Sequence, residues 1–596
     1  MENPAANITG TAPLIYFQWY DHAFFGFMLF LSTAIGIYFS ITGANKKNIT
    51  DEYFMGGKKM SVMPIAVSLV ASHISSVSLM AVPADVYSFG AMYWLSTISI
   101  MVSAFATSYI FLPVFYELQL NSTYEYLMLR FNSSIRTMCS LFFILNILLF
   151  MGIVVYVPAL AYSKATGLSV HYIIPAICAI CTFYTTIGGL KTVVWTDTLQ
   201  FSVTSTAVVV IFYLGVTKAG GFTNVFQTAW EGSRLHFDFD LDLTKRETVF
   251  AVLMHWFLSY TRMLSTSQEC VLKFLSLPTL KKAQQSIFLF CFGIICVKSI
   301  IVITGLIMFT LYKDCDPLMS GSISKIDQLV PFYVADVASK VPGLTGLFLS
   351  GVFCTALSTL SAIMNALSAT IYQDFVAKFL PKFAKQEQYT SITIKLLVVV
   401  MGVLITFLAS LVGYLGPIQP LAISVASISA GSFFGLFTLG VLVPRANTKG
   451  AFSGVIISTL FVGWMFVGAQ WYRSKDMIKN IPTHLSTEQC TFEVPVVENN
   501  STILDAPTDI FFLYRVASYY YALTGCVVCI AVGIVVSLLT DHGGHVDKRL
   551  LSPLVHRWLP EDAGKDDYFS IDKANRIVTS LDLQNLQDAN KNVSKV

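Results

Sequence analysis

The chain has 596 residues, 55% of them hydrophobic and 12% charged, with a formal net charge of +3 and a mean hydropathy of +0.66. A soluble globule carries about 25% charged residues, so this composition excludes one and describes a polytopic membrane protein. The near-neutral balance leaves no basic footprint for nucleic acid. The chain also carries no zinc-protease, Walker-loop or nucleophile-elbow motif, which argues against an enzyme.

Thirteen apolar runs are long enough to cross a hydrocarbon core of about 30 Å. They lie near 20–41, 61–88, 92–116, 139–163, 171–188, 195–217, 248–271, 285–312, 343–374, 391–413, 419–442, 450–470 and 518–540. The acidic start lacks the basic region and cleavage site of a removed leader, so the first span is expected to be retained. Connections 41–60, 117–138, 189–194, 272–284, 375–390 and 443–449 carry fifteen Lys and Arg, against twelve in the others. Nearly all of those twelve fall in three long loops, where charge bias is a weak guide. The short basic loops are therefore expected inside. That places residues 1–19 outside, the membrane domain at 20–540 and a cytoplasmic tail at 541–596. The sequons at Asn7, Asn499 and Asn500 would then be extracellular and open to glycosylation, whereas Asn48, Asn121, Asn132 and Asn592 would stay bare. The tail reads as a partly disordered segment or surface helix around LLSPLVHRWL.

Three spans carry polar interruptions. In the second, Ala71 to Ser78 is a run of small hydroxylated residues around His73, where a helix could unwind and expose the Ala71 and Ile74 carbonyls. The seventh has a polar midsection from Ser259 to Gln268, five spans later, which is the spacing of two corresponding broken helices. The ninth is uncharged over 344–371 yet rich in Ser and Thr. Its Thr355, Ser358 and Thr359 stand at i, i+3 and i+4 and share one helical face. Oxygen-rich faces suit hard cations, but Ser and Thr also serve close helix packing or bond back to their own helix. Both readings stay open on pattern alone. Of the charges inside or at the ends of spans, Asp197, Arg262, Glu269, Lys298, Asp374 and Lys395 need a partner or a task. Arg262 could pair a solute carboxylate bidentately, pair Glu269, or line an outer vestibule, and Glu269 and Lys273 at i, i+4 could satisfy each other. Eleven cysteines form no secreted disulfide pattern, and Cys178-x-x-Cys181 and Cys526-x-x-Cys529 lie inside apolar runs, where packing is expected. Gly431 and Gly435 suit a close helix contact.

DEYFMGGKKM at 51–60, SLVASHISS and PADVYSFG after it, CTFYTTIGGLKTVVWTDTLQ at 181–200, ALSTLSAIMNALSATIYQDF at 356–375 and GLFTLGVLVPRANTKGAFSG at 435–454 occur in order. Together they resemble the sodium/solute symporter family. The WTD string, the YKDCDPL loop and the YYYALTGCVVCIAVGIVVSLLT ending are most similar to its monocarboxylate, multivitamin and iodide branch. The resemblance implies an all-α, leucine-transporter-type core of five plus five inverted-repeat helices, about 61–217 and 248–442. It implies a multi-pass plasma-membrane protein, not an enzyme, that uses sodium as coupling ion and no other cofactor. Its partners would be the bilayer and a small organic solute, expected to be an anion such as a monocarboxylate or vitamin. Aligned onto this chain, sodium is held by Ala71, Ile74, Thr355, Ser358 and Thr359, with a second position at Ser72, Asp197 and Gln200. The solute cavity would be lined by His73, Ser78, Tyr93, Trp94, Tyr156, Arg262 and Gln268. His73 and Ser78 depart from the branch, as does SQECVLKF at 267–274, which keeps Gln268 but loses other amides. Iodide selectivity is therefore not expected. The alternatives are a non-transporting sodium or solute sensor, a sodium channel, or a carrier of a neutral sugar or inositol.

Overall fold

The computed structural model describes residues 19–43, 61–118, 123–339, 341–376, 387–414, 418–475, 510–540 and 546–559, together with 477, 478, 483, 486, 487 and 490. The sequons at Asn7, Asn499 and Asn500, and the tail beyond 559, lie outside the described residues. The described chain is all-helical apart from turns and loops.

Helix α1 spans Trp19–Gly43. It is followed by α2, Val62–His73, and α3, Ser76–Phe89, which meet at 60°. Then come α4 over Ala91–Leu118, α5 over Thr123–Arg130, α6 over Ser133–Thr166, α7 over Val170–Lys218 and α8 over Phe222–Glu231. The second half begins with α9, Val249–Thr266, and α10, Gln268–Leu275. It continues with α11, Leu280–Tyr312, α12, Leu329–Ala338, α13, Leu344–Ile371, α14, Glu387–Val412, and α15, Ile418–Leu442. Last are α16, Thr448–Ser474, the single turn α17, Phe512–Arg515, and α18, Tyr521–Leu539.

Among the described residues nine helices, or ten with the bent α2–α3 pair, are long and apolar enough to cross a membrane. The other three expected spans fall on α1, on the first half of α7, and on α9 with α10. Side-chain oxygens start several helices by accepting an early backbone N–H: Asn132 for α6, Thr248 for α9, Thr279 for α11 and Asn447 for α16. Asn132, one of the sequons expected to stay bare, is thus occupied as a cap.

The backbone stays helical through 189–194, where a connection is expected between spans five and six. Two contacts show that α7 nevertheless folds back. Tyr184 Oη donates to Leu357 O at 2.9 Å and Thr204 Oγ1 to Gly351 O at 3.1 Å. Twenty residues of straight helix would separate the α7 positions by about 30 Å, and six residues separate those on α13 by about 9 Å. Both contacts form only if α7 bends sharply between its two apolar parts, Val170–Thr186 and Gln200–Lys218.

Helix α13 is the centre of the bundle. Of its most apolar window 82% is buried, against 28% for α14, so its hydroxyls face protein and not lipid. Helix α1 lies along it, with Asp21 Oδ1 accepting the Gly346 N–H at 2.9 Å. At the other edge α15 packs on α18 without a gap. A Cβ at Gly431 would stand 2.1 Å from Ala522 O, and one at Gly435 2.8 Å from Cys529 Cβ. Cys178, Cys181, Cys526 and Cys529 are buried free thiols, as packing required.

The cysteine reading needs one correction. Cys315 and Cys490 form a disulfide across 175 residues, joining two long loops that spacing alone could not pair. The same face is knitted by Asp316, which donates its N–H to Ser486 O at 2.9 Å and accepts from Tyr87 Oη at 2.5 Å. Gly90, at φ +99°, lets the chain after α3 meet Arg234, whose carbonyl would lie 2.7 Å from a Cβ there. This is the disulfide face of the molecule. Replacing Cys315 by Ser is expected to cost about 2–4 kcal/mol, read as a lower melting temperature. Cys490→Ser and the double variant should show the same drop, because two halves of one bond do not add; additive losses would reject the pairing.

On the opposite face the stretch around LLSPLVHRWL, expected as part of a partly disordered segment or surface helix, is docked on the bundle. Tyr126 Oη donates to Leu550 O at 3.0 Å, the Ser552 N–H to Val441 O at 3.0 Å, and Leu550, Leu551 and Val555 are buried.

Candidate ion and solute site

The break between α2 and α3 is made by two extended residues, Ile74 (φ −90°, ψ 98°) and Ser75 (φ −94°, ψ 164°). Ser75 Oγ accepts the Ser78 N–H at 3.4 Å and restarts the helix as its cap. Two extended residues interrupt the i to i+4 ladder, so carbonyls at the end of α2 are released from helical pairing. Helix α13 packs against both α2 and α3, with Thr355 and Ser358 buried and Thr359 half-buried. Thr355 donates to Val352 O at 2.8 Å and Thr359 to Thr355 O at 2.9 Å. These are the back-bonds of the packing reading, yet a hydroxyl that donates its proton still presents oxygen lone pairs. Freed carbonyls and helix hydroxyls are both oxygen donors of the kind a hard cation takes.

The second interruption is at Ser267, extended (φ −72°, ψ 130°) between α9 and α10. It faces the first. His73 lies with Nε2 3.6 Å from Cys270 Sγ, its Nδ1 2.7 Å from Leu69 O and its ring edge-on to Phe290. Lys273 Nζ donates to Ser72 Oγ at 2.8 Å and stands 3.4 Å from Glu269. The expected Glu269–Lys273 pair therefore forms, and it also reaches Ser72, one of the residues aligned to a second sodium. Gln200 is buried on α7 near α13, and the Asp197 side chain lies outside the described residues.

A third cluster centres on Lys298 of α11, which is 9% exposed. Its Nζ donates to Tyr93 Oη at 2.8 Å and Ser96 Oγ at 2.9 Å. It lies 4.2 Å from the ring centroids of both Tyr93 and Trp256 and 5.0 Å from that of Tyr260. Every one of these partners is neutral, and among the described residues no carboxylate pairs with it. Aromatic faces and hydroxyls can hold an ammonium, but they leave its charge uncompensated. Next to it Trp94 Nε1 donates to Ser299 Oγ at 3.1 Å.

Tyr93 and Trp94 thus belong together, as aligned. His73 and Ser78 sit at the break, with Ser78 Oγ 3.3 Å from Ser75 Oγ, and Gln268 opens α10. Tyr156 lies elsewhere, 3.5 Å from Lys325 Nζ and close to Gly413. Arg262 pairs with neither Glu269 nor any other described carboxylate. It lies in the last turns of α9, beyond the level of Trp256 and away from the disulfide face, so it lines no vestibule on that face. Its Nε is buried without an acceptor. Lys298 carried a sequence signal, a charge mid-span, but only the fold shows its aromatic surroundings. Where α9 begins, Asp85 of α3 pairs with Arg246, and burial pushes the nearby Glu247 and Asp327 up to about 7.

A family model described as the sodium:solute symporter family matches residues 53–458. Sodium-coupled monocarboxylate transporter 2 of Mus musculus is 35% identical over 90% of this chain and 87% of its own length. Sodium-coupled monocarboxylate transporter 1 of Homo sapiens is 33% identical over 87% of each. The solved substrate-bound, outward-open structure of a Na+-coupled sialic acid symporter covers 89% of this chain and 100% of its own, at 21% identity and a TM-score of 0.69, which marks a shared fold.

Proposed function

The chain belongs to the sodium:solute symporter family, and from that premise we propose that it imports a small organic anion, a monocarboxylate or vitamin, by sodium-coupled alternating access. The observation that carries the anionic solute is Lys298, a buried ammonium with only neutral partners. Burying an unpaired charge is costly, and a carboxylate arriving between Tyr93, Ser96 and Trp256 would supply the missing charge. The relatives' printed specificity for monocarboxylates points the same way. Sodium would be held by the Ala71 and Ile74 carbonyls and the oxygens of Thr355, Ser358 and Thr359, at the junction of the bent helix with α13. Ser72, Asp197 and Gln200 are a weaker second set, since Lys273 at Ser72 repels a cation.

The proposal places the disulfide face outside the cell, where a disulfide persists and where the positive-inside count puts the long loops. Sodium bound from that side favours the arrangement that accepts solute, and each ligand then raises the other's affinity. Each sodium moving inward down 100 mV adds about 2.3 kcal/mol of driving force.

The test is uptake of radiolabelled lactate, pyruvate, biotin or pantothenate into proteoliposomes. At least one should accumulate with sodium outside and fall to background with choline. Uptake indifferent to sodium would reject coupling, sodium-dependent binding without uptake would favour the sensor, and sugar or inositol uptake with no acid uptake would favour the neutral-solute carrier.

A further inference from the structure

Three arginines from separate parts of the chain converge on the disulfide face. Arg246 lies in the connection before α9, Arg473 in the last turn of α16 and Arg515 on α17. With Thr244, Ser518 and Tyr519 they line a cavity of about 20 Å3. Roughly 10–15 Å3 holds one water, so a monatomic ion fits and a lipid phosphodiester does not.

Each of the three arginines keeps one buried N–H without an acceptor. Arg246 uses Nη2 on Asp85 and stands 3.4 Å from Glu247, but its Nη1 is buried without an acceptor. Arg473 and Arg515 make no ion pair among the described residues, and the Nε of each is buried without an acceptor. Among the described residues three guanidiniums face only the carboxyl groups of Asp85 and Glu247, so positive charge is in excess there. An arginine that only answered the negative end of α16 would turn its donors to the terminal carbonyls. An interfacial anchor would turn them to water. Neither leaves three guanidiniums with buried, idle N–H groups around one small cavity.

We propose that Arg246, Arg473 and Arg515 hold a single small monovalent anion, chloride in ordinary saline, at a site separate from Lys298. Guanidinium donors around a monovalent anion form charge-assisted hydrogen bonds, and the anion cancels the residual charge. Arg246 serves this cavity and Asp85 together, so occupancy is linked to the residue that holds the disulfide-face half of the bent helix.

The experiment is equilibrium binding of radiolabelled chloride to the purified full-length protein in sodium gluconate. Saturable binding displaced by bromide is expected, weakened at least about tenfold by Arg473→Gln or Arg515→Gln and abolished by the pair. Each variant is checked for a wild-type thermal shift on adding sodium, which excludes misfolding. Acetate is expected to have no effect, because the cavity of about 20 Å3 holds a monatomic ion; acetate that displaces chloride would overturn the assignment to this cavity. Lys298→Met should leave chloride binding intact. Loss of binding in that variant would assign the anion to the solute site, and no saturable binding, or binding unchanged in the double arginine variant, would also overturn the proposal.

Discussion

Removing the Ser358 and Thr359 hydroxyls together is expected to raise the sodium concentration for half-maximal uptake by about 100-fold or more, to the point where uptake at ordinary sodium is lost. Each oxygen facing a desolvated cation contributes on the scale of a charged hydrogen bond, about 1.5–3 kcal/mol, and every 1.4 kcal/mol is tenfold. Alanine is the strongest helix former, and the Thr359 hydroxyl bonds back to Thr355 O of its own helix, a bond that does not hold a helix together, so the double variant keeps α13 helical. The measurement is the sodium dependence of uptake in a Ser358→Ala, Thr359→Ala variant, with Ser350→Ala as control. Ser350 is buried on α13 and bonds back to Leu347 O, so it reports what losing a packed hydroxyl does by itself. If the control and the double variant shift alike, the hydroxyls are packing and the sodium assignment fails.

Lys298→Met should lower apparent solute affinity by about 100-fold or more while leaving sodium binding near wild type. Methionine matches the length of the stem and keeps the contacts with Trp256 and Tyr260, so the change removes the ammonium and little else. Leaving a buried charge without its partner costs about 3–5 kcal/mol, which is about two to three and a half decades of affinity, and here the solute's own carboxylate becomes the unpaired group. Uptake over a wide solute range, alongside a sodium-induced thermal shift, separates solute loss from unfolding. Affinity for an acid unchanged in Lys298→Met would remove the lysine from the solute site. Arg262→Ala run in parallel addresses the other cation; its buried Nε makes it a structural liability, but its place in the last turns of α9 predicts a smaller effect on affinity than Lys298→Met.

The bent second span was legible because Ser72, Ser75, Ser76 and Ser78 offer the backbone hydrogen-bond partners that rival the helix ladder, a preference written within a few residues. The interruption in the seventh span was legible for the same reason, although its break falls at Ser267, near the end of the polar section. The Glu269–Lys273 pair followed from helical spacing. The fold-back of α7 was legible as two apolar runs with a short connection at 189–194, although the backbone stays helical through it. The disulfide and the seating of the tail were not legible, since each rests on contacts between residues far apart in the chain. Tyr93 and Trp94 came from resemblance, and Lys298, which Tyr93 contacts, stood in the sequence as an unexplained charge. The three arginines drew no notice, because basic residues in loops and helix ends are ordinary.

By itself, then, the sequence determined that this is a polytopic helical membrane protein, where its helices break and which helix carries the hydroxyl face, since composition and periodicity act over one or two turns. Tertiary structure decided which side chains share a point in space: His73 with Cys270, Lys298 with Tyr93 and Trp256, and Arg246 with Arg473 and Arg515. Whether a charge is compensated depends on neighbours brought by packing from hundreds of residues away, and no local pattern encodes that sum.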